Sequence, residues 1–280
     1  MRTFSVLAAI LSVGLVAAGC DIQAGNGKFD IDFATGKATD TWSRTYKVAE
    51  NGRFELINVN GRIIAEPTGG AELIVEGRRT AKGRSDESAK ELLGQLEIRE
   101  EVGDQRVRVE SRPPRSSGFS SHEIEWTVKV PKGVIVDLRT TNGGVRLKDL
   151  SNEIYAKTTN GGVKAENIDP STFEASAVNG GIELALSSPV EAGDSIDMET
   201  VNGGVSLELP QDSRATITAR CVNGGVRVEN IELQKHDEEA SEHERRRRLN
   251  GTMNGGGGKV NMSTTNGGVQ LSRSTPKSTT

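Results

Sequence analysis

The chain has 280 residues, with 35 lysines and arginines against 39 aspartates and glutamates and a formal net charge of −4. Both signs are interspersed, so there is no basic face or stripe of the kind that nucleic-acid binding requires. Aromatic residues make up only 4%, too few to furnish the stacking platforms usual on sugar-binding surfaces, and there are just two cysteines, Cys20 and Cys221.

Residues 1–19 carry one cation, Arg2, an apolar run from Phe4 to Val16 and then small residues. This pattern predicts a secretory signal peptide, too short to span a bilayer comfortably. Ala17-Ala18-Gly19-Cys20 resembles a bacterial lipobox, although Ala17 stands where Leu is commoner. The resemblance implies cleavage after Gly19 and lipid attachment at Cys20, and therefore a membrane partner reached through an N-terminal lipid. Cys221 is then the only other cysteine, which excludes a disulfide within one mature chain.

Residues 20–50 read as a lipid-anchored tether rich in Gly, Asp, Thr and Lys, with a short strand at Phe29–Phe33. Residues 51–130 read as a β-rich N-terminal cap. Strands are expected at Glu72–Arg79, Leu96–Val102, Gln105–Arg112 and Glu123–Val130, interrupted by a helix over Asp86–Leu96 with Ser85 as its N-cap. Within the cap, Phe54–Ile63 matches the spacing of the later repeats with Arg62 in place of a glycine; it is either a first rung or a strand of a capping layer.

From residue 131 to 273 the chain repeats itself. Asn-Gly pairs at Asn142-Gly143, Asn160-Gly161, Asn179-Gly180, Asn202-Gly203, Asn223-Gly224 and Asn266-Gly267 are each followed by a second glycine and a β-branched residue. A period near twenty residues is the mark of stacked repeats. Six, four and two residues before each Asn the chain is apolar or small, as in Val136, Leu138 and Thr140, with polar residues between; the same alternation resumes at Val145 and Leu147. Each repeat is therefore strand, tight corner, strand. Asn and Gly both tolerate left-handed backbone, which lets the chain turn within three residues.

Two architectures fit. One is a right-handed parallel β-helix, or β-solenoid, each rung lying on its own copy with stacked asparagines bonded from rung to rung. The alternative is an antiparallel β-meander of hairpins, since Asn-Gly is also a strong hairpin signal. Column-by-column identity favours the solenoid. A sequential stack would place Cys221 in the small inward column beside Thr200.

The last interval is 43 residues, about two periods, and holds a charged insertion, 232–258, with a degraded copy at Asn254-Gly255-Gly256. It reads as a solvated excursion. The competing readings are a metal site from His236, His243 and nearby carboxylates, or contact of Arg245–Arg248 with anionic lipid. Residues 274–280 read as a disordered tail.

Val130-Pro131-Lys132-Gly133 followed by serial Thr-Thr-Asn-Gly-Gly-Val units resembles the putative-adhesin family of exported bacterial proteins of unknown function, which is similar to the head-GIN putative adhesins. The likeness covers Phe54–Ser272. It implies a parallel β-helix and an envelope location, and it carries over no catalytic residues.

An enzyme would need carboxylates clustered with a base or metal in a cleft. The best candidate for that, or for a cation site, is an acidic patch of Glu174, Asp197 and Glu199 on adjacent rungs, which is also what any soluble strand face offers. No cofactor, metal or catalytic residue is expected. The sequence thus reads as a non-enzymatic, lipid-anchored cell-envelope β-solenoid: a putative adhesin, or a binding or structural module whose partner is an envelope protein or a glycan. An envelope-stress signalling partner and a polysaccharide-acting β-helix enzyme are the alternatives.

Overall fold

A computed structural model describes residues 20–25, 28–33, 36–114, 120–236 and 241–274; the expected signal peptide and most of the expected tail lie outside them. The fold is all-β and solenoid-like. Two long sheets, of eleven and ten strands, are built mostly from parallel pairs, and each repeat contributes one strand to each sheet. Cys20–Gly25 and Lys28–Phe33 form a separate antiparallel pair.

The alternation seen in the sequence is the burial pattern of the strands. In Ile135–Asn142, Val136, Leu138 and Thr140 are buried and Arg139 is exposed; in Val145–Lys148, Val145 and Leu147 are buried. Equivalent positions stack in register: Val136 on Ile154, Ile154 on Phe173, Phe173 on Ile196, and Asn142, Asn160, Asn179 and Asn202 in one line. This parallel pairing excludes the meander. It also sets every inward side chain on its own kind from the next rung, giving one continuous apolar core between the sheets.

The order of the rungs is not the order of the chain. In the first sheet Ser195–Asn202 pairs with Gly258–Asn266, which in turn pairs with Ala215–Asn223. The C-terminal repeat is thus inserted between its two predecessors, and Cys221 lies beside Thr264, not beside Thr200. The other end mirrors this: Arg53–Asn60 lies between Arg106–Arg112 and Ile135–Asn142. Phe54–Ile63 therefore belongs to a full rung, and the sheets run through residue 131 without a break. Insertion gives a terminal strand backbone partners on both edges, which holds a segment that would otherwise fray.

Both ends of the stack are covered. At the N-terminal end Gly36–Tyr46 runs antiparallel to Leu73–Gly83, which continues onto Ser121–Val130. The helix Asp86–Gly94, started by a Ser85 capping box, packs Ala89, Leu92 and Leu93 against Ala38, Ala81 and Leu96. The Tyr46 hydroxyl donates to Glu100 Oε2 at 2.6 Å and ties the rims of the two sheets together. The tether expected through residue 50 is thus in part an edge strand. Its solvent-facing Lys37, Thr39, Thr41 and Ser43 hide the few buried positions that would have revealed it.

At the other end the charged insertion is only partly a solvated excursion. Arg248–Met253 runs antiparallel to Ala215–Arg220, with Leu249 and Met253 buried, and Ile231 and Leu233 pack on the core. Asn254-Gly255-Gly256 is not a rung. It reverses the chain into Gly258–Asn266, and the Asn254 amide donates to the carbonyls of Gln211 and Ser213 at 2.9 Å each.

The column that holds Ala177 between Thr158 and Thr200 admits only small side chains. Ala177→Leu is expected to overpack it and cost about 1–3 kcal/mol in a denaturant melt. Glu174→Leu, three residues away on the exposed face, is expected to leave stability nearly unchanged.

Candidate functional site

The corners govern what the surface can offer. Each first glycine donates its N–H to the Asn carbonyl of the next rung, as Gly143 does to Asn160 and Gly161 to Asn179, both at 2.9 Å. A Cβ on Gly161 would stand 2.2 Å from the Gly143 carbonyl oxygen, in a backbone at φ +150. Only glycine fits so close a stack.

Beside this backbone the corner asparagines form a one-way ladder. Asn223 donates to Asn266, Asn266 to Asn202, Asn202 to Asn179, Asn179 to Asn160, Asn160 to Asn142 and Asn142 to Asn60, at 2.7 to 2.9 Å. The threonines two residues earlier serve the same stacking. Buried Thr158, Thr200 and Thr264 donate their hydroxyls to the carbonyls of Gly143, Gly180 and Gly203, so a hydroxyl in the core is satisfied where it would otherwise cost stability. The ladder ends on His122, whose Nε2 lies 3.2 Å from Asn60 Nδ2. Asn60 Oδ1 already accepts from Asn142, so its amide donates and the imidazole accepts in its neutral form.

The second glycines have no side chains, and this opens a trough along the outer face of the second sheet. Gly181, Gly204, Gly268 and Gly225 form its floor. The short side chains of Ala185 and Ser206 keep it open where Lys164 and Arg227 stand taller. Two recesses of about 490 and 650 Å³ meet at Glu183, Ser206 and Gln270, within the size range of ligand sites. The lining is mixed, more apolar in the recess over the glycine corners and more polar in the one beside it, where Lys164 pairs with Glu166 at 3.1 Å; Gln270, shared by both, donates to Glu229 at 3.2 Å. Such a surface presents hydrogen-bonding groups at one-rung intervals of about 4.8 Å, suited to an extended polar chain. This is the candidate site. Its sequence signal is the outward series Lys164, Glu183, Ser206, Gln270 and Arg227, long at the ends and shorter between, a column that becomes visible once the second strands are aligned.

The acidic patch is adjacent in space: Glu174 pairs with Asp197 in register, and Glu199 pairs with Ser176 on the same face. Asn261 donates to Asp197 at 3.3 Å. The three carboxylates lie side by side on an exposed sheet surface, and among the described residues no three His, Cys, Asp or Glu converge as metal ligands. His236 is exposed, and the His243 side chain lies outside the described residues. Cys221 is buried, and burial raises its thiol pKa, which opposes a nucleophilic role. Cys20 begins its strand; its side chain lies outside the described residues.

A recess of about 410 Å³ at the head of the ladder gathers Asn60, Arg62, Lys82, His122, Glu123 and Glu125. Arg62 and Arg78 both bind Glu125 and hold its carboxyl below the usual range. Burial lowers the His122 pKa. A histidine depressed in the folded state contributes stability above its unfolded value, near 6.5, and loses it as pH falls through the folded value. Thermal stability should therefore drop on acidification below about pH 6.5, and His122→Gln should lose part of that dependence in melts taken across pH 4–8.

Residues 136–272 match the family described as Toastrack DUF4097. The chain is similar to the solved structure of a putative cell adhesion protein from Clostridium sporogenes, with 13% identity over 84% of this chain and 100% of that one and a TM-score of 0.42. A putative adhesin from Bacteroides fragilis shows 13% identity over 83% and 97%, TM-score 0.40. A putative lipid binding protein from Parabacteroides distasonis shows 10% identity over 84% and 97%, TM-score 0.30. No curated protein matches the chain.

Proposed function

We propose, starting from the Toastrack match over residues 136–272, that the chain is a non-enzymatic, adhesin-like module of the bacterial cell envelope. In this reading it is exported by residues 1–19 and held at a membrane by lipid on Cys20, where a lipoprotein's two or three acyl chains give firm binding that one chain does not. The solenoid's crossovers are right-handed, the sense that parallel strand connections overwhelmingly take. The observation that carries the reading is the trough over Gly181, Gly204, Gly268 and Gly225, edged by Glu183, Ser206, Gln270 and Arg227. It is a groove on a rigid scaffold, of a shape that receives an extended segment of an envelope protein or glycan.

Two measurements test it. Cys20→Ser should move the protein from the membrane to the soluble fraction; retention through a carbonate wash would place the anchor elsewhere. The soluble Cys20→Ser chain should co-sediment with purified envelopes. Adding Ala185→Arg and Ser206→Arg, which fill the trough from its solvent side, should reduce the bound fraction several-fold at unchanged melting temperature. Undiminished binding would mean that the trough is not the site.

A further inference from the structure

Every asparagine of the ladder is followed by glycine. Asparagine is thermolabile, and before glycine most of all, because a following nitrogen with no Cβ beside it can reach the Asn side-chain carbon unhindered. In six of the ladder's corners both reacting groups are held. Each first glycine, from Gly61 to Gly267, donates its N–H to the Asn carbonyl of a neighbouring rung at 2.8 to 3.0 Å, and each Asn Oδ1 accepts an amide N–H from the next Asn. Asn223-Gly224, the last corner of the stack, is the exception. The side-chain bonds run from Asn223 towards Asn60 and the backbone bonds run the opposite way, so the final corner at this end lacks both. Among the described residues the Gly224 N–H meets no acceptor and Asn223 Oδ1 meets no donor. Elsewhere the Gly52 N–H is bonded to Ala49, Gly251 lies between two paired strands, and the Asn254 amide is pinned by two carbonyls; Asn26-Gly27 lies outside the described residues.

The surroundings of this corner favour reaction. Asn223 is exposed, so water reaches it. The helix Glu242–Arg247 stands beside it, with the Arg246 carbonyl oxygen 3.6 Å from where a Cβ on Gly225 would lie. Burial raises the thiol pKa of Cys221, two residues before Asn223, while Arg247 acts to lower it, which puts a guanidinium charge within reach of the corner. A cation there stabilises both a deprotonated glycine nitrogen and the oxyanion that forms when it attacks. An interior corner must first break its bonds by local opening, which is rarest in the middle of a stack.

We infer that Asn223-Gly224 is a site of self-modification, at which the Asn223 amide is converted to aspartate and isoaspartate with water as the only co-reactant. The Gly224 nitrogen passes its proton to water and bonds to Asn223 Cγ. The Cγ–Nδ2 bond breaks, and ammonia leaves carrying a proton back. Water then opens the succinimide at either carbonyl, so that one amide and one water become one carboxylic acid and one ammonia. The product cannot rebuild the corner. A carboxylate has no N–H to give to Asn266 Oδ1 and sets a charge against it. Isoaspartate also adds a methylene to the backbone where even a Cβ on Gly224 would overlap the Gly267 carbonyl oxygen, so Val226–Glu229 loses its seat on Val269–Ser272. Gly225, Val226 and Arg227 line one end of the trough, and that end loosens as the molecule ages.

The test is peptide mapping by mass spectrometry of the full chain carrying Cys20→Ser, aged in its folded state and, in parallel, in denaturant. Trypsin releases the last corner as residues 221–227 and two interior corners as 140–146 and 158–164, each with a single asparagine. In denaturant the three peptides should convert at similar rates, since all share Asn-Gly-Gly-Val. In the folded chain 221–227 should convert at least tenfold faster than either interior peptide and yield both aspartate and isoaspartate. Asn223→Asp, standing for the product, should speed hydrogen exchange at Val226–Glu229 and leave Val145–Lys148 protected. Equal conversion of the three peptides in the folded chain would overturn the proposal, as would an Asn223 that stays intact when folded while the same peptide converts in denaturant. Neither result would bear on envelope binding by the trough, which is read with Ala185→Arg and Ser206→Arg.

Discussion

The structure depends on backbone touching backbone at the corners. A Cβ on the first glycine of a corner would stand about 2 Å from the glycine carbonyl oxygen of the adjacent rung, as at Gly143, Gly161, Gly180, Gly203 and Gly267. Corners that nest so closely cannot slip by a residue without breaking the Asn carbonyl to Gly N–H bonds on both sides. Register follows from that contact. Once it is fixed, inward residues stack on inward residues, amides on amides, and the outward columns become ordered arrays of charge and shape. The trough has the same origin, since it lies where corners without side chains come one above another.

That contact is also why so much of the fold is legible in the sequence. Asn-Gly-Gly recurs because each copy meets the same steric limit, and the columns around it are small or apolar because each lies on its own equivalents. The inward threonines are part of this signal, since Thr158, Thr200 and Thr264 each satisfy a neighbouring glycine carbonyl. The order of the rungs is a different matter. Thr200 can stack on Cys221 or on Thr264, and Ile196 on Ile217 or Val260, with similar shape, so near-equivalent copies carry little information about which neighbour each takes. Sequence distance favours a sequential stack; the insertion of Gly258–Asn266 between Ser195–Asn202 and Ala215–Asn223 depends on how the C-terminal end is closed. The edge strand Gly36–Tyr46 is hidden for another reason, because a strand with one paired edge and a mostly wet face has the composition of a linker. The candidate trough depends on second-strand residues that show no motif one by one, and its shape emerges when Ala185, Ser206 and Gln270 are set side by side.

Closed ends give this solenoid a defined length. The helix Asp86–Gly94 and the strand Gly36–Tyr46 cover one end, and Leu249, Met253, Ile231 and Leu233 cover the other. End-to-end growth through open strand edges is thereby disfavoured, which leaves the two broad outer faces for contact with other molecules. One face is grooved along its glycine corners; the other is flat and carries exposed charges of both signs.

In-register stacking with an inserted C-terminal rung is tested most directly by disulfide trapping on the exposed face, in a chain whose natural cysteines are replaced by serine. Glu199 and Ser263 are register partners, and so are Ser263 and Arg220. Glu199→Cys with Ser263→Cys therefore falls within the roughly 4.4–6.8 Å between Cα atoms that a disulfide spans, whereas Glu199→Cys with Arg220→Cys lies two rungs apart, beyond that reach. The account predicts that the first pair oxidises rapidly to an intramolecular disulfide and the second remains reduced. Rapid closure of the Glu199/Arg220 pair, with the Glu199/Ser263 pair left open, would show a sequential stack and contradict it.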